Sequence, residues 1–179
     1  MPWVIGLGVV AIVLFALRSG SADAPAPGVS VTNPVVGADL HSLVVDPDDP
    51  ETLYIGSHQG VSISSDVGKT WEVVESLNGA DAMGWAFTDE AILVGGHPGL
   101  SVSIDDGVTF EQRNEGLPST DVHALGAGRE VIYAGLAGVG TFASTDGGKT
   151  WEERSKEVGG GFMGRIVVDP SDDDHLVAP

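Results

Sequence analysis

One octapeptide occurs three times, and nothing else in the chain limits its fold so strongly. Ser64-Ser65-Asp66-Val67-Gly68-Lys69-Thr70-Trp71 is followed by Ser103-Ile104-Asp105-Asp106-Gly107-Val108-Thr109-Phe110 and by Ser144-Thr145-Asp146-Gly147-Gly148-Lys149-Thr150-Trp151. The shared pattern is Ser-x-Asp-x-Gly-x-Thr-Trp/Phe, and the three aspartates are 39 and 41 residues apart. A fixed period near 40 residues marks an array of like supersecondary units. The octapeptide has the chemistry of a tight turn between strands. Ser and Asp side chains hydrogen-bond turn backbone, and Gly supplies a positive φ. Thr and the aromatic residue then restart a strand with the aromatic side chain facing inward.

The residues around each octapeptide complete a four-strand unit. In the first unit His41–Asp46 reads as a strand, Pro47–Glu51 as a turn, and Thr52–Gly56, Gly60–Ser64 and Trp71–Glu75 as three more strands. Four short antiparallel strands in about forty residues make one blade of a β-propeller. The chain is therefore predicted to be all-β, with units at about 39–80, 81–120, 121–160 and 161–179. The last unit stops before its octapeptide, so the expected fold is an incomplete propeller of three blades and the start of a fourth. Propellers close with about 4–8 blades. The two open edges would be covered by the rest of a longer gene product or by another copy of the chain.

The first 38 residues are a different material. Residues 3–17 form an unbroken apolar run, followed by Arg18 and a Ser/Ala/Pro/Gly-rich stretch. Fifteen residues suit an N-terminal helix that serves as a signal peptide, with Ala22-Asp23-Ala24 as a cleavage site. A full span needs roughly 20 residues. The absence of Lys or Arg before the run leaves an uncleaved membrane anchor as the alternative. Residues 1–24 are thus expected to enter or cross a membrane, with 25–38 as a linker and an extracytoplasmic domain beyond, secreted or anchored.

Charge removes other classes. The chain has 8 Lys and Arg against 26 Asp and Glu, a formal charge of −18. Arg18 and Asp23 cancel, so the acidity belongs to the domain. Such a surface cannot neutralise phosphates along a nucleic acid or dock on anionic lipid through a basic patch. With no cysteine, disulfides, thiolate metal sites and cysteine nucleophiles are excluded. No phosphate loop, dinucleotide fingerprint or nucleophile elbow occurs.

The octapeptides resemble the Asp-box, or BNR, repeat of sialidase-like and sortilin-like propellers. The string Val45-Asp46-Pro47-Asp48-Asp49-Pro50-Glu51-Thr52-Leu53-Tyr54-Ile55-Gly56 looks like the blade openings of those proteins. The chain resembles exported bacterial BNR-repeat proteins labelled glycosyl hydrolases. The resemblance covers 39–179 and implies fold more than activity, since such boxes serve enzymes, receptors and assembly factors alike. A sialidase would need three arginines and a Tyr nucleophile. Beyond Arg18 only Arg113, Arg129, Arg154 and Arg165 occur, and Tyr54 and Tyr133 fall mid-strand.

Blade topology sorts the remaining residues by face. Octapeptides and the Asp-Pro-rich turns between first and second strands lie on one face. Alignment of the first strands puts His41, Met83, His123 and Met163 at one position, with Asp39, Asp81 and Asp121 two residues earlier. The turns after the second strands carry His58 and His97, with Ala137 in the third unit. These residues share the face opposite the octapeptides. His41, His58, Met83, His97, His123 and Met163 form the expected ligand-binding set, and His41, Met83, His123 and Met163 the expected metal set. His with Met suits copper, and His with Asp suits zinc. Packing between blades explains the same residues without a ligand. Calcium on Asp46, Asp48, Asp49 and Glu51, or on Asp169 and Asp172–Asp174 beside His175, is less favoured, because these acids are ordinary turn chemistry.

Three functions follow. The first is a binding module that presents this face to a carbohydrate or protein ligand. The second is a glycoside hydrolase of the sialidase-like or xyloglucanase-like propeller type. It would use Asp39, Asp81 and Asp121 as its carboxylates. The third is an assembly factor for a membrane complex.

Overall fold

The computed structural model describes residues 37, 39–157 and 164–178. The expected N-terminal helix, its cleavage or anchor site and Met163 lie outside the described residues. Among the described residues no helix is long and apolar enough to cross a membrane, and the one helical turn is a 3₁₀ turn at Glu75–Leu77.

Three sheets repeat one plan. The first contains β1 (Leu40–Val45), β2 (Leu53–Ser57), β3 (Gly60–Ser64) and β4 (Glu72–Val73). The second contains β5 (Asp81–Phe87), β6 (Ile92–His97), β7 (Gly99–Ser103) and β8 (Glu111–Gln112). The third contains β9 (Val122–Ala127), β10 (Ile132–Leu136), β11 (Gly140–Ser144) and β12 (Glu152–Ser155). Strands within each sheet lie in sequence order and pair antiparallel. This is the blade of a propeller.

The last unit begins with β13 (Gly164–Arg165), which pairs in parallel with β9. It continues as a hairpin of β14 (Val167–Asp169) and β15 (Asp172–Val177). Here the sequence reading needs correction, because it put Asp172–Asp174 and His175 in a turn. The Asp169 carboxylate accepts bonds from the Ser171 amide at 2.8 Å and the Ser171 hydroxyl at 2.6 Å. That closes the turn at Pro170–Ser171, and the chain is a strand again by Asp172.

The core lies between blades. Tyr54, Val61, Val74 and Leu77 of the first sheet pack on Trp85, Ile92, Val94 and Phe110 of the second. Leu93, Leu100 and Val102 of the second pack on Val122, Leu125, Ile132 and Trp151 of the third. The aromatic residue that ends each of the last two octapeptides therefore plugs the gap to the blade before it. Close approach requires small residues at two equivalent β2 and β6 positions. A Cβ on Gly56 would come within 2.6 Å of the Ala82 carbonyl oxygen, and one on Gly95 within 3.0 Å of the Val122 carbonyl oxygen. The outward faces of β1 and of the last hairpin are open, with Leu43, Val45, Val167 and Val177 exposed.

The three octapeptides form one repeated hydrogen-bond cage. The Ser64, Ser103 and Ser144 hydroxyls donate to Asp66, Asp105 and Asp146 at 2.9, 2.7 and 2.8 Å. The same hydroxyls accept from the Gly68, Gly107 and Gly148 amides. Thr70, Thr109 and Thr150 each give an amide and a hydroxyl to the aspartate four residues back. The residue before each of these glycines also has a positive φ, 62° at Val67, 57° at Asp106 and 73° at Gly147. At Val67 this left-handed backbone is held against the preference of a β-branched side chain.

Hydrogen bonds to a carboxylate favour its charged form. The Thr70 amide foremost, then its hydroxyl, holds Asp66 down from 3.8 to about 2. At Asp105 and Asp146 the threonine hydroxyl leads and the amide follows, with the same result of about 2. A depressed folded value means stability that is complete above the ordinary value and lost as pH falls through the folded one. The urea midpoint is expected to drop between about pH 4 and pH 2. The triple change Asp66→Asn, Asp105→Asn, Asp146→Asn should flatten that drop, and an unflattened drop would show that other carboxylates cause it.

Candidate functional site

Each of the three inner strands carries a β-bulge at the same place. In the first sheet Leu40 pairs with Ser57 and Ser42 with Gly56, so His41 has no partner. In the second, Ala82 pairs with Gly96 and Gly84 with Gly95, which skips Met83. In the third, Val122 pairs with Leu136 and Ala124 with Gly135, which skips His123. A bulge re-aims the side chain of the extra residue. The residues that sequence alignment groups together are thus the three that leave the ladder.

From these bulges and the β2–β3 and β6–β7 turns an alternating series of acids and imidazoles runs across three blades. His58 Nε2 lies 3.2 Å from Asp39 Oδ2, and its Nδ1 lies 2.9 Å from Asp81 Oδ2. His97 Nδ1 lies 3.2 Å from the same Asp81 Oδ2, and its Nε2 lies 2.9 Å from Asp121 Oδ1. Each turn histidine therefore bridges the aspartate of its own blade to that of a neighbour. His41 spans the first gap too, with Nδ1 3.2 Å from Asp81 Oδ1 and Nε2 3.7 Å from Asp39 Oδ1. His123 Nε2 closes the series 2.6 Å from Asp121 Oδ1. The series ends at the third blade, where Ala137 occupies the turn position.

The three aspartates are unequal. The Asp39 side chain is 70% exposed, that of Asp121 34% and that of Asp81 9%. Asp81 has a blade on each side and is held opposite His97 in the β5–β6 ladder. The imidazoles group in two pairs rather than around one ring. His41 meets His58 edge to face at 3.9 Å, and His97 meets His123 at 6.0 Å. Of the expected metal set, His41 and His123 lie in separate clusters. Met83 holds the bulge of β5, half-buried, and Met163 lies outside the described residues. A cavity of about 190 Å³ opens beside the series, lined by Asp81, His97, Asn78, Phe110 and Gln112.

The acids on the other face are engaged in backbone. Asp46 Oδ1 accepts the Asp48 and Asp49 amides, and Asp49 accepts the Glu51 amide and the Thr52 hydroxyl. Asp173 accepts the Arg129 and Glu130 amides of the neighbouring blade, which hold its carboxyl below the ordinary range. Arg154 pairs with Asp174. Tyr54 and Tyr133 are fully buried, and burial foremost raises both phenols. Tyr133 donates to the Asp173 carbonyl at 2.8 Å, which serves packing between blades.

No protein-family model and no curated protein matches the chain. Solved structures do. An ancestral GH74 enzyme aligns over 78% of this chain and 21% of its own length, at 16% identity and a TM-score of 0.62. YCF48 bound to D1 peptide aligns over 73% of this chain and 44% of its own, at 17% identity and 0.59. The GH74 xyloglucanase from Xanthomonas campestris aligns over 76% and 26%, at 23% identity and 0.53. The chain spans less than half the length of each. At these identities the likeness is one of fold, and the described part of the chain is a segment of propeller-type architecture.

Proposed function

We propose that the chain is a non-catalytic binding module of the Asp-box propeller type, exported by its apolar N-terminus. Its binding surface is the His/Asp face. The observation that carries this reading is the imidazole wedged between each pair of neighbouring carboxylates. A glycosidase holds the scissile bond between two carboxyl groups, one acid and one base or nucleophile. Here His58 fills the space between Asp39 and Asp81, and His97 fills that between Asp81 and Asp121. In this arrangement an imidazole, and no open cleft, stands between each carboxylate pair. The ligand is a carbohydrate or a protein partner. Solved propellers of this fold include a xyloglucanase and a protein bound to a peptide.

Reducing-sugar release from xyloglucan and a panel of aryl glycosides tests the reading. No turnover is expected from the wild-type chain. Turnover that disappears in Asp81→Asn or Asp121→Asn would overturn the proposal in favour of a hydrolase.

A further inference from the structure

We propose that the His/Asp face holds two divalent ions of the zinc class. One ion sits on Asp39, His41 and His58, and the other on His97, Asp121 and His123. Asp81 is the shared carboxylate behind three of the four imidazoles. The inference rests on reading this face as the binding surface and names what the face takes first.

The donor atoms are already gathered. Within each trio one ligand atom per residue lies within 4.8 Å of the others. The imidazole–carboxylate separations in the two trios run from 2.6 to 3.7 Å. Tetrahedral ligands with bonds of about 2.0–2.1 Å stand roughly 3.3–3.4 Å apart. The short Asp121–His123 contact therefore opens by several tenths of an ångström, and the Asp39–His41 contact closes slightly, when an ion enters. Two imidazoles and a carboxylate are zinc donors, whereas calcium takes oxygen ligands only.

The back side of the site is the stronger argument. A metal-bound imidazole usually gives its other N–H to a carboxylate, which fixes its tautomer and orientation. The Nδ1 atoms of His41, His58 and His97 all converge on Asp81, at 3.2, 2.9 and 3.2 Å. With the proton on Nδ1, each Nε2 carries a lone pair. Those lone pairs face Asp39 and Asp121, which are acceptors themselves. Two acceptors at 2.9–3.2 Å repel unless a cation or a second proton lies between them. The orphaned atoms agree. Asp121 Oδ1 is buried without a hydrogen bond, although two Nε2 atoms lie within 2.9 Å of it. Asp81 Oδ1 and His41 Nδ1 face each other at 3.2 Å without a well-aligned hydrogen bond, so of the three contacts behind the imidazoles those of His58 and His97 carry the argument. The Asp81 side chain is nine-tenths buried. Buried polar atoms without partners are rare in folded proteins.

Three protein ligands leave a coordination position open on each ion. Asp39 is exposed, and His58 and His97 are half-exposed, so that position faces solvent. A carboxylate, imidazole or hydroxyl of an incoming ligand would complete it, which makes the ions the contact points of the face.

Zinc titration of the chelator-treated full-length chain, followed by calorimetry, tests the proposal. Two zinc ions per chain are expected, with the isotherm unchanged by a tenfold excess of calcium. His58→Ala and His97→Ala should each remove one equivalent, and the double variant both. The half-exposed positions of these side chains let the variants keep their fold, which circular dichroism checks. Asp81→Asn should weaken both sites by about 10–100-fold. No zinc binding by the wild type, displacement by calcium, or full stoichiometry in the double variant would overturn the proposal. Those outcomes leave the non-catalytic reading standing, since only turnover of a glycoside removes it.

Discussion

Asp81→Ala is expected to lower the unfolding free energy by about 3–5 kcal/mol, although the residue belongs to no hydrophobic cluster. Its carboxylate is nine-tenths buried and faces imidazoles from two blades. Removal leaves the Nδ1 atoms of His58 and His97 without the carboxylate they face, and a polar group stripped of its partner costs about 1–3 kcal/mol. The gap also separates β1 from β5 at the mouth of the blade. Asp81→Asn keeps an acceptor oxygen and should cost less than half as much. Urea denaturation of the three proteins reads the order directly. Equal midpoints for wild type and Asp81→Ala would show that the carboxylate serves a ligand alone and holds no blades together.

Trp85→Ala should cost about 3–5 kcal/mol, the range for an aromatic side chain removed from a core. Trp85 lies on β5 and is 5% exposed. It packs on Tyr54 of the preceding blade at a centroid distance of 5.2 Å and stacks on Phe87 at 6.3 Å. Its Nε1 donates to Ser42 Oγ at 2.8 Å, and that hydroxyl donates to the Ala82 carbonyl at 2.9 Å. One side chain thus supplies both apolar contact and a hydrogen-bond bridge between the first two blades. Trp85→Phe keeps part of the contact and loses the bridge, so it should fall between the wild type and Trp85→Ala. A loss below 1 kcal/mol in Trp85→Ala would mean that the first blade is not docked on the second.

The blade was legible in the sequence because its signals are local. Ser64, Asp66, Gly68 and Thr70 fall within one turn, and their cage needs nothing from elsewhere in the chain. The same holds for the other two octapeptides. The face that gathers His41, His58, His97 and His123 was legible too, since strand alternation assigns it. What the sequence could not show is grouping and depth. Alignment treats Asp39, Asp81 and Asp121 as equals, yet only Asp81 is enclosed, because three imidazoles close on it where Asp39 and Asp121 meet two each. Alignment also groups His41 with His123. Contact instead groups His41 with His58 and His97 with His123, since neighbours across one gap are nearer than equivalent positions in separate blades. The bulges at His41, Met83 and His123 leave no mark on residue type. The run of acids Asp172–Asp174 has the residue types of a turn, whereas Asp173 and Asp174 bond the neighbouring blade from a strand.

Anomalous diffraction at the zinc edge, from crystals of the chain grown with zinc, tests most directly what the His/Asp face is for. Two peaks are predicted, one between Asp39, His41 and His58 and one between His97, Asp121 and His123. A map with no peak at either place, or with zinc only on the acidic turns of the opposite face, would contradict the account.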